Sequence, residues 1–244
     1  MTTVLEGRGV TKRYIGGDGV ALDVLRGVDL RVAAGEMLAI IGESGSGKST
    51  LLHILGGLDR PTSGEVLLSD RLLSDRSDEE LAAVRNRGVG FVFQFHHLLR
   101  EFSALENVSL PLRVAGEKPA VAEARARLLL ERVGLGGRLH HRPNELSGGE
   151  QQRTAVARAL AAAPGVVLAD EPSGNLDRAN GERLHDLLAE VVRDLGVGMV
   201  VVTHNMSLAE RARAVYQLKE GKLSEIVRGE RSGGGARLGV VRGV

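Results

Sequence analysis

The chain has 244 residues, with 32 Lys+Arg against 31 Asp+Glu and a net charge of +1, so no global field draws it to nucleic acid or to an anionic membrane. Aromatic residues are 2% of it and cysteine is absent, which leaves little for stacking on unpaired bases and excludes disulfides, cysteine-ligated zinc and thiol catalysis. The length fits one α/β domain with a full core. No signal-type N-terminus and no apolar run of about 18 residues occurs, so the expectation is a soluble chain that reaches a membrane only through a partner.

Residues 4–32 alternate apolar and polar side chains around the turn Gly16-Gly17-Asp18-Gly19, a pattern of antiparallel strands. Tyr14, just before that turn, can stack on an adenine face or simply serve the fold. Leu38-Ala39-Ile40-Ile41 then predicts a buried parallel strand, and Thr50-Leu51-Leu52-His53-Ile54-Leu55 a helix ending at Gly56-Gly57. Between them Gly42-Glu43-Ser44-Gly45-Ser46-Gly47-Lys48-Ser49 fits G-x-x-x-x-G-K-[ST]. A strand turning through glycines into a helix points several backbone N–H groups into one concavity at the positive end of the helix dipole, and this suits a polyphosphate. Lys48 then places its ammonium on the β and γ phosphates. The Ser49 hydroxyl, with Thr50 behind it, completes a Mg²⁺ shell. By itself the motif specifies a nucleoside triphosphate only, since kinases, GTPases and motors share it.

Arg60-Pro61-Thr62-Ser63-Gly64 reads as a turn, Glu65-Val66-Leu67-Leu68 as a short strand and residues 78–87 as a polar helix. Val89-Gly90-Phe91-Val92-Phe93 is a second buried strand ending at Gln94. An amide at that end of a strand, where ligands of α/β sheets collect, can reach a metal ion or a water; alone, it would be a plain surface amide. From 95 to 142 the pattern changes, with Leu98-Leu99, Leu105-Glu106-Asn107-Val108 and an amphipathic run over 121–133, and a helical insertion is expected. The pairs His96-His97 and His140-His141 invite a metal reading. Adjacent side chains diverge, however, and no carboxylate cluster accompanies them, so packing or surface roles are expected.

Leu146-Ser147-Gly148-Gly149-Glu150-Gln151-Gln152-Arg153 opens a helix predicted to run through Ala163. Ser147 and Glu150 form an S-x-x-E capping box, and Gly148 and Gly149 behind it let a ligand approach the exposed N–H groups. A second phosphate reader in a chain that already has one implies that two copies share each nucleotide. Gly165-Val166-Val167-Leu168-Ala169-Asp170 is a third buried strand. Its end places Asp170 to hold Mg²⁺ through water and Glu171 to take a proton from an attacking water. Pro172-Ser173-Gly174-Asn175-Leu176-Asp177 is a polar turn before a helix over 180–195. Met199-Val200-Val201-Val202 is a fourth strand, ending at Thr203-His204, whose imidazole can bond the γ-phosphate or orient the water. From Gly221 the chain turns back through Lys222 to Arg228, and residues 229–244, rich in Gly, Arg and Ser, are expected to be a mobile tail without assigned function.

Taken together, Gly42 to Ser49, Gln94, Leu146 to Arg153, Asp170-Glu171, Ser173 to Asp177 and His204 resemble the nucleotide-binding subunit of ABC transporters over about residues 4–225. The resemblance implies an α/β P-loop NTPase core with a mainly parallel sheet, an antiparallel β edge subdomain and an inserted α-helical subdomain at about 95–163, within a nucleotide-binding domain over 1–228. It implies ATP and Mg²⁺ as ligands and a head-to-tail homodimer with two ATP between the subunits. Tyr14 would stack on adenine, Glu171 would be the catalytic base, and His204 the switch histidine. Ser147, Gly148, Gly149 and Glu150 would be a signature acting in trans, and Ser173, Gly174, Asn175, Leu176 and Asp177 the D-loop.

Within that family the stretches His53 to Asp59, Gln94 to Leu99, Phe102 to Val108 and Ala169 to Asp177 are similar to the LolD group, whose members drive release of outer-membrane lipoproteins. MacB-type exporters and FtsE-type regulatory switches are sister groups. This implies integral membrane partners of LolC/LolE type, a place on the cytoplasmic face of the inner membrane, and no nucleic-acid partner. The chain departs from the family pattern at Ser173, where Thr is commoner, and at Asn205, where Asp is usual.

Overall fold

A computed structural model describes residues 2–73, 76–228 and 238–242. Two sheets organise it. Strands β1 (Thr3–Ile15) and β2 (Ala21–Ala33) form the long expected hairpin, and β4 (Ser63–Leu68) and β5 (Arg71–Leu72) extend it into a four-stranded antiparallel sheet, in the order β2-β1-β4-β5. The larger sheet contains β3 (Met37–Ile41), β6 (Val89–Phe93), β7 (Val166–Asp170) and β8 (Gly198–Val202), then β9 (Ala214–Lys219), β10 (Lys222–Arg228) and β11 (Leu238–Arg242). Its order is β11-β10-β9-β3-β8-β7-β6, and the five strands from β9 to β6 are parallel.

The period of two along a strand explains the layering. Met37, Ala39, Val167, Ala169, Met199 and Val201 face one way, into a core shared with the helical insertion. Leu38, Ile40, Val166, Leu168, Val200 and Val202 face the other, into a core shared with helix α1 (Lys48–Leu55) and the antiparallel sheet. All six of these latter side chains are at most 1% exposed, which is why the sequence shows unbroken apolar runs where alternation would mark a half-wet strand. Leu51, Leu52, Ile54 and Leu55 anchor α1 between the two sheets at 1% exposure or less, each burial stabilising by about 2 kcal/mol.

The insertion consists of α3 (Ala104–Val114), α4 (Pro119–Arg132) and α5 (Gly148–Leu160), while α2 (Asp78–Gly88) precedes β6 and α6 (Arg178–Leu195) and α7 (Met206–Ala209) flank β8. Helix α5 stops at Leu160, three residues before the predicted end at Ala163. Ala163 sits at φ 51°, and its N–H bonds back to Leu160 O in a tight turn; Pro164, next in the chain, has no N–H with which to continue the helix. Of the tail expected to be mobile, residues 229–237, 243 and 244 lie outside the described residues. Leu238–Arg242 pairs antiparallel with β10 at the edge of the larger sheet. No helix among the described residues is long and apolar enough to cross a membrane.

Candidate functional site

The C-terminal ends of the parallel strands hold most of the residues singled out above. Along the sheet the order is β3, β8, β7, β6, so the P-loop stands beside His204, then Asp170 with Glu171, then Gln94. Four segments distant in sequence thus share one edge, as expected for a doubly wound sheet.

In the P-loop, Gly47 precedes α1 at φ 100° and Gly45 sits at φ 80°, conformations that only glycine adopts without strain. Gly42 is glycine for room: a Cβ there would come within 2.5 Å of the Leu218 backbone oxygen and 2.8 Å of Ser46 Oγ. The Lys48 ammonium donates to the carbonyls of Gly42 at 2.9 Å and Glu43 at 2.8 Å, so the loop holds its own cation in place. Ser46 Oγ is buried without a hydrogen-bond partner. An orphaned hydroxyl inside a glycine turn at a helix N-terminus, beside a held ammonium, fits an anionic oxygen ligand, and Ser49 and Thr50 open the helix directly behind it.

Glu171 and His204 form a pair. The His204 backbone N–H donates to Glu171 Oε1 at 3.0 Å, and His204 Nδ1 lies 2.8 Å from the same oxygen. The Thr203 hydroxyl donates to Oε2 at 3.1 Å. Glu171 has φ 44°, a left-handed conformation costing a non-glycine residue about 1–2 kcal/mol. Its N–H bond to Val202 O at 2.9 Å helps hold it there, and strain of this kind collects at functional sites. The Glu171 side chain is 17% exposed and that of His204 74%, so the carboxylate is sheltered and the imidazole forms its outer wall.

Gln94 is tied to the turn after β7, a contact that sequence reasoning missed. Its Nε2 donates to Asn175 Oδ1 at 3.0 Å, and Asn175 Nδ2 donates back to Gln94 O at 3.1 Å. A Cβ at Gly174 would meet Gln94 Nε2 at 2.9 Å, so this turn needs glycine for the amide to lie against it. Leu176 is packed on the core, and Asp177 caps α6 by accepting from Asn180 N at 3.0 Å. Asn205 replaces an acid without loss at its helix: its Oδ1 accepts from Ser207 N and Leu208 N and so caps α7, a position where Asn serves as well as Asp.

Tyr14 is 42% exposed. Its hydroxyl donates to Asp59 Oδ2 at 2.7 Å, and Lys12 Nζ, itself 2.7 Å from Asp59 Oδ1, stands 4.8 Å from the ring centroid. The ring is therefore fixed in direction before any base meets it.

Away from this edge, Ser147 starts α5 with the predicted capping box: its Oγ accepts from Glu150 N at 3.4 Å, and Glu150 Oε2 accepts from Ser147 N at 2.8 Å. The Ser147 backbone N–H, and after it the Ser147 hydroxyl donating to Glu150 Oε2 at 2.8 Å, lower the Glu150 pKa from 4.5 to about 2. Ser147 and Gly148 are exposed, whereas Gly149 is buried and a Cβ there would lie 3.0 Å from Asn180 Oδ1. The second glycine thus answers to packing against α6. The histidine pairs take ordinary roles: His96 Nδ1 bonds Gln152 Oε1 at 3.1 Å, His97 meets Phe93 edge-on, and Arg138 Nη1 contacts His141 Nε2 at 3.2 Å.

Residues 25–174 match the family model described as ABC transporter. The "Lipoprotein-releasing system ATP-binding protein LolD" of Alcanivorax borkumensis is 50% identical over 225 residues, covering 92% of this chain and 98% of that relative. The LolD proteins of Shewanella oneidensis and Myxococcus xanthus are 53% and 54% identical, covering 90% and 85% of this chain and 95% and 92% of theirs. Among solved structures, the ATP-binding cassette MJ0796, as a dimer in a post-hydrolysis state bound to ADP and Pi, superposes with a TM-score of 0.82 at 40% identity, covering 90% of this chain and 96% of that one.

Proposed function

This chain belongs to the ABC transporter ATP-binding family, and from that premise we propose that it is the ATP-hydrolysing subunit of a lipoprotein-releasing transporter. The observation that carries the chemistry is the sheltered Glu171 carboxylate held against His204 at the sheet edge that also bears the P-loop. ATP places its phosphates on the P-loop and Lys48, and its adenine on Tyr14. Ser49, Gln94 and, through water, Asp170 would hold Mg²⁺, which would offset phosphate charge. Glu171 takes a proton from the water that attacks the γ-phosphorus as its bond to the β–γ bridging oxygen breaks, giving ADP and inorganic phosphate. His204 holds that carboxylate and faces the phosphate. The dimeric MJ0796 cassette supports a homodimer, in which Ser147 to Glu150 of one copy would face the nucleotide on the P-loop of the other.

The membrane partner has a place to sit. The loop after Gln94 exposes Phe95 at 65% and Leu99 at 41%, and Arg158 pins its backbone by donating to His96 O and His97 O. Beside it runs a groove of about 330 Å³ lined by Leu58, Phe91, Phe93, Pro111 and Ala162 with Arg85 at its rim. Exposed apolar surface next to an apolar groove suits a helix from an integral membrane subunit of LolC/LolE type, which would hold the chain on the cytoplasmic face of the inner membrane. Replacing Leu98 and Leu99 with Ser is expected to leave the isolated chain folded and hydrolysing ATP, yet to free it from co-expressed membrane subunits and stop ATP-dependent lipoprotein release from proteoliposomes. A parental complex that turns over ATP while releasing no lipoprotein would reject the transport reading and leave a regulatory switch of FtsE type.

A further inference from the structure

His185 lies on the inner face of α6 and is 1% exposed. Its Nε2 is 2.8 Å from Ser173 Oγ, whereas Nδ1 has no hydrogen-bond partner. Glu182 Oε2 stands 4.0 Å from Nδ1. A buried imidazole with one nitrogen committed and the other orphaned is a costly choice for a helix interior that an apolar side chain could fill. The tautomer with hydrogen on Nδ1, turned to the Glu182 carboxylate, leaves Nε2 to accept from the Ser173 hydroxyl.

What Ser173 holds gives the contact its meaning. Ser173 O accepts from Leu176 N at 3.1 Å and the Gly174 N–H donates to Glu171 O at 2.9 Å, so the turn that carries Ser173 begins at Glu171 and ends in the Asn175 that grips Gln94. The same helical turn of α6 is also tied to the segment after His204. Ser207 Oγ donates to Glu182 Oε1 at 2.8 Å, and Arg211 donates to Glu182 Oε2 at 2.7 Å and to Asp186 Oδ1 at 2.8 Å. One turn of one helix therefore grips the chain on both sides of the Glu171–His204 pair.

We infer that His185 is a positioning residue for ATP hydrolysis, which through Ser173 fixes the 171–177 turn and with it the direction of the Glu171 carboxylate and of the Gln94–Asn175 clasp. This deepens the function proposed above and rests on Glu171 being the base. It also gives the Ser173 hydroxyl a partner, and the pair acts as a unit.

The test is steady-state ATP turnover of the full chain, with thermal unfolding as a fold control. His185→Leu is expected to lower kcat about fivefold, the size of one lost hydrogen bond, with KM within about twofold because the phosphate cradle is untouched. His185→Gln, whose amide reaches the place of Nε2, is expected to restore most of the rate. Ser173→Ala should match His185→Leu, and adding His185→Leu to it should cost nothing more, as for two partners in one contact. Parental kcat in His185→Leu, additive losses in the double variant, or a Gln variant as slow as the Leu variant would overturn the inference. If His185→Leu does not fold, the comparison of Ser173→Ala, His185→Gln and their double variant decides in the same way. Glu171→Gln measured alongside separates the two levels: turnover at the parental rate there defeats the base assignment, whereas its loss together with unaffected His185 variants defeats only the positioning role.

Discussion

At the sheet edge, Lys48, Gln94, Asp170, Glu171 and His204 come from four strand ends, and each reaches its place because a buried strand stops there. At the start of α5, by contrast, Ser147, Gly148, Gly149 and Glu150 are consecutive, and Ser147 and Glu150 fix one another through three short-range bonds. The first arrangement depends on the register of the whole sheet and its core; the second would form wherever that helix begins. Chemistry that must place a base, a cation and a phosphate within ångströms needs the rigid frame, whereas a group that only closes over a nucleotide from another subunit can be a local cap on a separately packed helical layer.

The sharpest break of the contrast is Lys48→Ala, which removes the ammonium held over the P-loop. Loss of ATP hydrolysis by at least about a thousandfold is expected, with an unchanged circular dichroism spectrum because the Lys48 side chain lies on the P-loop carbonyls and not in the buried core. Normal turnover would sink the assignment. Next in size is Glu171→Gln, which keeps shape and hydrogen-bonding reach but cannot accept a proton: turnover should fall about a hundredfold or more, and sedimentation with MgATP should show a persistent dimer. A chain with Lys48→Ala mixed with one carrying Ser147→Arg gathers both lesions around one shared nucleotide and leaves the other intact. Partial recovery of activity in the mixture is expected if the cap acts between subunits. Cysteines placed at Ser44 and Ser147 that cross-link only within one chain would reject that geometry.

The contrast also decides what the sequence made legible. Local signals translated directly: the glycines and lysine of 42–49, the Ser147–Glu150 box and the apolar strands all appear where the pattern places them. Neighbours across the sheet did not. Nothing in residues 166–171 announces that Val202 O will hold Glu171 in a left-handed conformation, or that His204 Nδ1 will lie 2.8 Å from its carboxylate. The Gln94–Asn175 clasp joins residues 81 positions apart, and no periodicity encodes it. Ser173 and Asn205 looked like departures from a pattern until their partners were in view, one an imidazole from α6 and the other the N–H groups of α7. The early end of α5 was legible in Pro164, which has no N–H to donate into the helix that the alanine run would otherwise continue.

The smallest effect tests the local side of the contrast. In the folded chain Glu150 has its pKa lowered from 4.5 to about 2, by the Ser147 backbone bond first, then by the Ser147 hydroxyl, with Arg138 assisting against the cost of burial. A folded value below the unfolded one means that the ionised carboxylate favours folding above pH 4.5, and that this contribution is lost as pH falls from about 4.5 to about 2. Glu150→Gln keeps an acceptor for the Ser147 N–H but not its charge, so urea unfolding at pH 7 should show a loss of about 1 kcal/mol, the size of a weakened cap. The parent and the variant should converge as pH approaches 2, where the parent's carboxyl is half protonated. A gap that stays constant from pH 7 down to that point would mean that shape, not charge, holds the box together. The local cap would then owe its strength to the packing of Gly149 on Asn180 and stand closer in kind to the sheet edge than its hydrogen bonds indicate.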